Sequence, residues 1–172
     1  MDGPAIALVM GVSGSGKTTV GAMLARRLGW PYAEADSFHP LANIEKMAAG
    51  QPLTDADRGP WLRAIAAWED EQIAAGRHGV VSCSALRRHH RDVLRRPQVQ
   101  IVYLRGSRAL IGSRLTARQG HFFRAELLDS QFSTLEEPGP DEPDVLIVPV
   151  DRGPSQIVDE IAARLRGTAP AG

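Results

Sequence analysis

Lysine is nearly absent from this chain. Its 172 residues include many arginines but lysine only at Lys17 and Lys46, so a lysine kept inside a glycine-rich loop is not surface decoration. Cysteine occurs once, as Cys83, which excludes an internal disulfide and fits a reducing compartment. Neither sign of charge is in excess: 20 Lys and Arg balance 20 Asp and Glu, with no block of like charge, and neither a nucleic-acid nor a membrane surface is expected. No apolar run is long enough to cross a bilayer and no basic segment precedes the first apolar stretch, so the sequence reads as cytoplasmic. Internal repeats, linkers and His/Cys ligand clusters are also missing. What is left is one domain, expected over residues 1–166, with a flexible tail over 167–172.

What is present begins at residue 11. Gly11-Val12-Ser13-Gly14-Ser15-Gly16-Lys17-Thr18 fits G-x-x-x-x-G-K-[ST] at every fixed position, and it follows the apolar run Ala5–Met10. Backbone N–H groups at a helix start favour phosphate, because the helix dipole and the unpaired donors both attract anions. Gly11, Gly14 and Gly16 let the backbone wrap the phosphates, Lys17 reaches the β- and γ-phosphates, and the Thr18 hydroxyl can ligate Mg²⁺. Ser13, Ser15 and Thr19 are further candidates for nucleotide contacts, so ATP with Mg²⁺ is the expected pairing.

The rest of the chain alternates strands and helices. A helix over Lys17–Leu28 ends at Gly29, and a short strand over Pro31–Ala35 delivers Asp36 to its C-terminal edge, where ligands gather in open α/β sheets. Leu41–Ala49 reads as a short helix. Thr54 and Asp57 resemble a cap with an acid three residues on, opening a helix with the apolar stripe Trp61, Leu62, Ile65 and Trp68. Capping explains Asp57. It does not explain Arg58, a cation in a first helical turn, which makes sense facing a bound anion. A strand over Gly79–Cys83 leads to a basic helix over Arg87–Arg96; Val99–Leu104 is the next strand, and Ser107 caps a helix carrying Arg114 and Arg118 four apart. Two like charges so placed repel unless an anion satisfies both. The segment Gln119–Phe123, a helix with Leu127, Leu128 and Phe132, the strand Val145–Val150 and a closing helix complete the pattern. Such alternation implies a three-layer α/β/α fold around a parallel sheet.

Several stretches together resemble the gluconokinase family: the phosphate loop, Glu34–Pro40, Asn43–Met47, Pro52–Arg58 with Trp61-Leu62, Cys83–Leu86, Arg91-Asp92, and His121-Phe122 through Leu127–Phe132 to Leu135-Glu136. The resemblance covers about residues 6–150. It implies a nucleoside-monophosphate-kinase-like P-loop fold with a five-stranded parallel sheet, a mobile lid near residues 119–125, a homodimer, and transfer of the ATP γ-phosphate to the 6-hydroxyl of D-gluconate. The chain departs from the family in small ways: Arg87 stands where lysine is frequent, His90 where an aromatic is frequent, and Phe123 where methionine is common.

Phosphoryl transfer is mostly positioning and charge neutralisation. Lys17, with Thr18-bound Mg²⁺, supplies part of the charge, and Arg118 with Arg114 closes on the transferring group. Asp36 is the candidate for aligning or deprotonating the attacking hydroxyl, with a second role at a Mg²⁺-bound water. A sugar acid needs an arginine fork and short polar groups. Arg58 is the first choice for its carboxylate, with Arg87 and Arg91 as competitors. His39 and His121 are either hydroxyl partners or a turn and a lid residue; Ser84 is either a substrate contact or a helix cap. Gln131 is a candidate anchor for lid or substrate, whereas Cys83 reads as a buried structural thiol. Other readings are a shikimate kinase-like enzyme, a nucleotide kinase, and a nucleotide-binding switch without turnover.

Overall fold

The first strand, β1 (Ile6–Met10), is apolar at all five positions and buried at all five, as a strand covered on both faces must be. Alternation sends its side chains to two layers. Ile6, Leu8 and Met10 pack with Trp61, Leu62 and Ile65 on one face, and Ala7 and Val9 pack with Val20, Leu24, Val158 and Ile161 on the other. The computed structural model describes residues 3–167, and the expected tail lies outside that range except for Gly167.

Five parallel strands follow the order β2-β3-β1-β4-β5, with β2 at Tyr32–Glu34, β3 at Gly79–Ser82, β4 at Val99–Arg105 and β5 at Leu146–Pro149. Helices α1 (Lys17–Leu28) and α7 (Pro154–Gly167) cover one face and α3 (Asp55–Ala74) covers the other. Helix α2 (Leu41–Ala48) bridges β2 to α3, and α4 (Arg88–Leu94) packs beside α3. Beyond the sheet come α5 (Arg108–Gln119), a one-turn 3₁₀ segment (Gly120–Phe122) and α6 (Ala125–Thr134), so the stretch expected as a lid, near residues 119–125, is the short connection between two helices. A separate cluster of Val12, Leu86, Ile111, Leu115 and Leu128 supports these helices. Gly167 belongs to α7, not to a tail.

The helix after β3 is shorter than its composition suggests. It runs over Arg88–Leu94 instead of Arg87–Arg96, because Arg87 and Arg95 both adopt extended backbone. Ser84 therefore stands four residues ahead of the helix and does not cap it.

Candidate active site

The phosphate loop after β1 and the turn after β2 both stand at the C-terminal edge of the sheet. The phosphate loop leaves β1 and enters α1 with Gly14 at φ 82° and Gly16 at φ 97°, a region costly for any residue with a Cβ. A Cβ on Gly14 would also sit 2.7 Å from the Leu115 side chain, so the loop and helix α5 pack closely only because nothing is there. Lys17 Nζ donates to the Val12 carbonyl at 3.2 Å. Burial pushes its ammonium below the usual range, opposed by Cys83, Asp36 and Glu34, so the lysine stands in the field of two carboxylates at the end of β2. The Ser15 hydroxyl is buried without a protein partner, and Thr18 and Thr19 are exposed at the first turn of α1.

A small polar network fixes that first turn. Ser82 donates to the Lys17 carbonyl at 2.9 Å, Tyr32 gives its one phenolic proton to Glu34 at 2.7 Å, and Tyr32 Oη lies 2.9 Å from Ser82 Oγ. Burial, followed by the contact with Glu34, raises the Tyr32 phenol to about 12, so it remains a donor. Sequence reasoning missed Tyr32 and Ser82; apolar neighbours hid a serine whose partner is a backbone carbonyl 65 residues away.

Arg114 and Arg118 do share a face. They line a cavity of about 510 Å³ with Gly14, Ser15, Gly16 and Thr19 of the loop and with Asp151, Arg152, Gly153 and Pro154 after β5. Arg114 Nη2 reaches the Arg152 carbonyl at 3.4 Å. The backbone N–H of Ser13 donates to Gln131 Oε1 at 3.1 Å, so α6 is tied directly to the phosphate loop.

Asp36 lies in the 3₁₀ turn Ala35–Phe38 that ends β2, and it is exposed. Trp61 holds this turn from below, its indole N–H donating to the Ala35 carbonyl at 2.7 Å. His39 stacks on Trp61 with ring centroids 4.6 Å apart. Its Nδ1 lies 3.2 Å from Asn43 Nδ2, which also donates to the Asp57 carbonyl at 2.9 Å. The amide thus makes Nδ1 an acceptor, and the proton sits on His39 Nε2. Burial lowers the His39 pKa, Asp36 raises it and Arg58 lowers it, so this imidazole feels the charge of both Asp36 and Arg58. Thr54 and Asp57 form the capping box, each bonding the other's backbone N–H, and Lys46 donates to Asp57 at 2.6 Å. Arg58 is partly exposed, with Asp55 Oδ1 3.6 Å away.

Arg91 is not in this space. It is 1% exposed and its guanidinium is fully engaged, with Glu142 at 2.9 and 2.7 Å and the carbonyls of Ala85, Leu86 and Glu136. A guanidinium so saturated cannot receive a substrate carboxylate, so Arg91 is corrected to an anchor of the loop before β5. Arg87 stays half-buried at the start of α4, with its Nε unpartnered. His121 is exposed on the lid against Phe122, away from the contacts made by His39. Ser84 is half-buried after β3, and Cys83, wholly buried, has its thiol pushed up to about 12 by desolvation, which leaves it inert.

Known proteins share this architecture. The shikimate kinase family matches residues 13–166. The gluconokinase of Gluconobacter oxydans is 49% identical over 160 residues, 92% of this chain and 89% of that protein. The thermoresistant gluconokinase of Escherichia coli K12 is 49% identical over 152 residues, covering 86% and 85% of the two chains. The crystal structure of a gluconokinase from Sinorhizobium meliloti superposes with a TM-score of 0.85 at 44% identity, over 98% of this chain and 95% of that one. A shikimate kinase from Aquifex aeolicus shares the fold at 16% identity and a TM-score of 0.55. With a phosphate loop between β1 and α1, and with identities of this size over nearly its whole length, the chain belongs to the gluconokinase family of P-loop kinases.

Proposed function

We propose that this protein is an ATP-dependent gluconokinase that transfers the γ-phosphate of ATP to the 6-hydroxyl of D-gluconate, releasing ADP and 6-phospho-D-gluconate. The observation that carries the reading is that the charge of Asp36 is felt both by Lys17 of the phosphate loop and by His39, which also feels Arg58. A hydroxyl partner in the field of the loop lysine and a cation in the field of His39 suit an acceptor that carries both a hydroxyl and a carboxylate.

ATP occupies the cavity formed by the phosphate loop, Arg114, Arg118 and the turn after β5, whose backbone supplies the adenine contacts. Arg118 and Lys17 neutralise the charge of the transferring group. Asp36 receives the proton of the attacking hydroxyl as the new O–P bond forms and the bond to the ADP oxygen breaks. His39 Nε2 donates to a sugar hydroxyl, and Arg58 pairs with the carboxylate. Ser84 and Arg87 are further candidates for acceptor contacts, and Gln131 acts through the phosphate loop, where it accepts from the Ser13 N–H.

Thr18 and Asp36 offer a hydroxyl and a carboxylate, the hard oxygen donors that suit Mg²⁺. Bound there, the ion would neutralise phosphate charge. The protein acts in the cytoplasm, in keeping with one buried free thiol and no helix among the described residues long and apolar enough to span a membrane. A homodimer follows from the family resemblance, and Leu41, Ile44 and Met47, exposed along α2, give it apolar surface to bury.

The test is ADP release with D-gluconate, related aldonates, shikimate and nucleoside monophosphates, with and without Mg²⁺, alongside Lys17→Ala. Turnover with gluconate that disappears in the variant is expected. Turnover with shikimate or a nucleotide instead would transfer the enzyme to the alternative kinase readings, and ATP binding without any turnover would make it a switch.

A further inference from the structure

His90 is 3% exposed, and its Nε2 is buried with no hydrogen-bond partner. The backbone N–H of Arg87 donates to its Nδ1 at 3.4 Å, so the ring proton sits on Nε2. Burial, then His89, Arg58 and Arg87, lower the imidazole to about 4 against the opposing pull of Asp55, and the ring is neutral at pH 7. Nε2 is therefore a lone buried donor. Asp55, His89 and His90 bring ligand atoms within 4.8 Å of one another, but the occupied Nδ1 turns an N–H, not a lone pair, toward the acid, which disfavours a metal there.

What the donor faces is the carboxylate of Asp55, 3.9 Å away from Nε2. The same Oδ1 lies 3.6 Å from Arg58 Nη1. Neither distance is a formed hydrogen bond. The carboxylate is poised between two partners, one of which is the arginine assigned to the acceptor's carboxylate.

We propose that His90 is a positioning residue for acceptor binding: its Nε2–H takes the Asp55 carboxylate when a substrate carboxylate takes Arg58. In the empty site Asp55 stands in for the substrate's negative charge, and His90 gives it somewhere to go. The arrangement makes the site selective for acceptors that carry a carboxylate, because a neutral polyol offers Arg58 nothing to replace Asp55. The inference rests on the gluconokinase reading and on Arg58 as the carboxylate partner.

Steady-state kinetics on the full chain test it, with D-gluconate and ATP varied in turn for wild type, His90→Phe, His90→Gln, Asp55→Ala and the double variant Asp55→Ala/His90→Phe. Phenylalanine keeps the packing and removes the donor, so KM for gluconate should rise about fivefold, the worth of one hydrogen bond, while KM for ATP stays put. Glutamine, whose amide nitrogen lies near the place of Nε2, should restore most of the loss. With Asp55 removed there is no competitor to park, so gluconate KM should match or fall below wild type and His90→Phe should add nothing. An undiminished effect of His90→Phe in the Asp55→Ala background, or a parallel rise in ATP KM, overturns the proposal. Wild-type turnover of gluconate with His90→Phe unaffected overturns it while leaving the gluconokinase reading intact. No gluconate turnover in wild type overturns both.

Discussion

Arg91 on α4 and Glu142 in the loop before β5 form an ion pair in which both side chains are essentially inaccessible, 1% and 2% exposed, with Nη2 and Oε2 2.7 Å apart. Arg95 adds a second cation to the same carboxylate at 2.6 Å, and Arg88 pairs with neighbouring Asp141. The hydrogen bonds from Arg91 are the leading reason that the Glu142 carboxyl lies below its ordinary range. A loop rich in proline and acid is thereby clamped across α4. Replacing Arg91 with Met leaves the buried Glu142 carboxylate with Arg95 as its remaining cation and frees three carbonyls from their donor, and urea unfolding should report a loss of about 3–5 kcal/mol. Gluconate KM of the folded variant should stay within about twofold, since the guanidinium has no donor left for substrate.

Asp36 and Arg58 should separate cleanly in kinetics. Asp36→Asn keeps the shape of the turn but loses the proton acceptor, and kcat should fall by about 10²–10⁴. Arg58→Ala loses a charge-assisted pair, and gluconate KM should rise by about 10- to 100-fold with ATP KM unchanged. Equal damage to both KM values would assign Arg58 to folding.

Trp61 supports Asp36 without touching substrate. Its N–H satisfies the Ala35 carbonyl in the turn that presents the acid, and Ala35 itself is buried. Trp61→Phe should cost about 1–3 kcal/mol in thermal or urea unfolding. It should lower kcat more than it raises ATP KM, because the phosphate loop is held by other contacts.

Glu69 carries a pH dependence. It lies on the buried side of α3, 0% exposed, and neither carboxylate oxygen has a hydrogen-bond partner. Desolvation raises its pKa to about 8, partly opposed by Arg96. The folded state therefore holds a proton that the unfolded chain releases near the ordinary carboxylate pKa. Between roughly pH 4.5 and 8 the folded protein binds more protons than the unfolded one, so this group's contribution is intact below that window and is lost as pH climbs through it. Glu69→Gln should flatten that slope, and Glu69→Leu should stabilise the protein by about 1–3 kcal/mol at pH 8. A variant whose stability tracks wild type across the window would show that the carboxyl has found a partner.

Local rules made much of this molecule legible. The phosphate loop, the capping box at Thr54 and Asp57, the Ser107 cap on Leu110 and the pairing of Arg114 with Arg118 are all decided within a few residues of chain, where spacing determines geometry. The apolar stripe of α3 was legible for Trp61, Leu62 and Ile65. Glu69, one position further along the same face, was not, because a charged residue at a core position violates the pattern that defines the face.

By itself, then, the sequence determined the order of strands and helices, the phosphate loop and the family, since each rests on short-range spacing or on many matched positions together. Tertiary structure alone decided how the arginines are partnered: Arg58 stays partly exposed beside Asp55, Arg91 is sealed against Glu142, and Arg114 and Arg118 line a cavity with the phosphate loop. It also decided that His90 holds an unpartnered proton beside Asp55. A guanidinium or an imidazole reads the same in every sequence. Its role depends on which distant carbonyl or carboxylate the fold brings within 3 Å, and that is set by the packing of α3, α4 and the loop before β5 around one sheet edge.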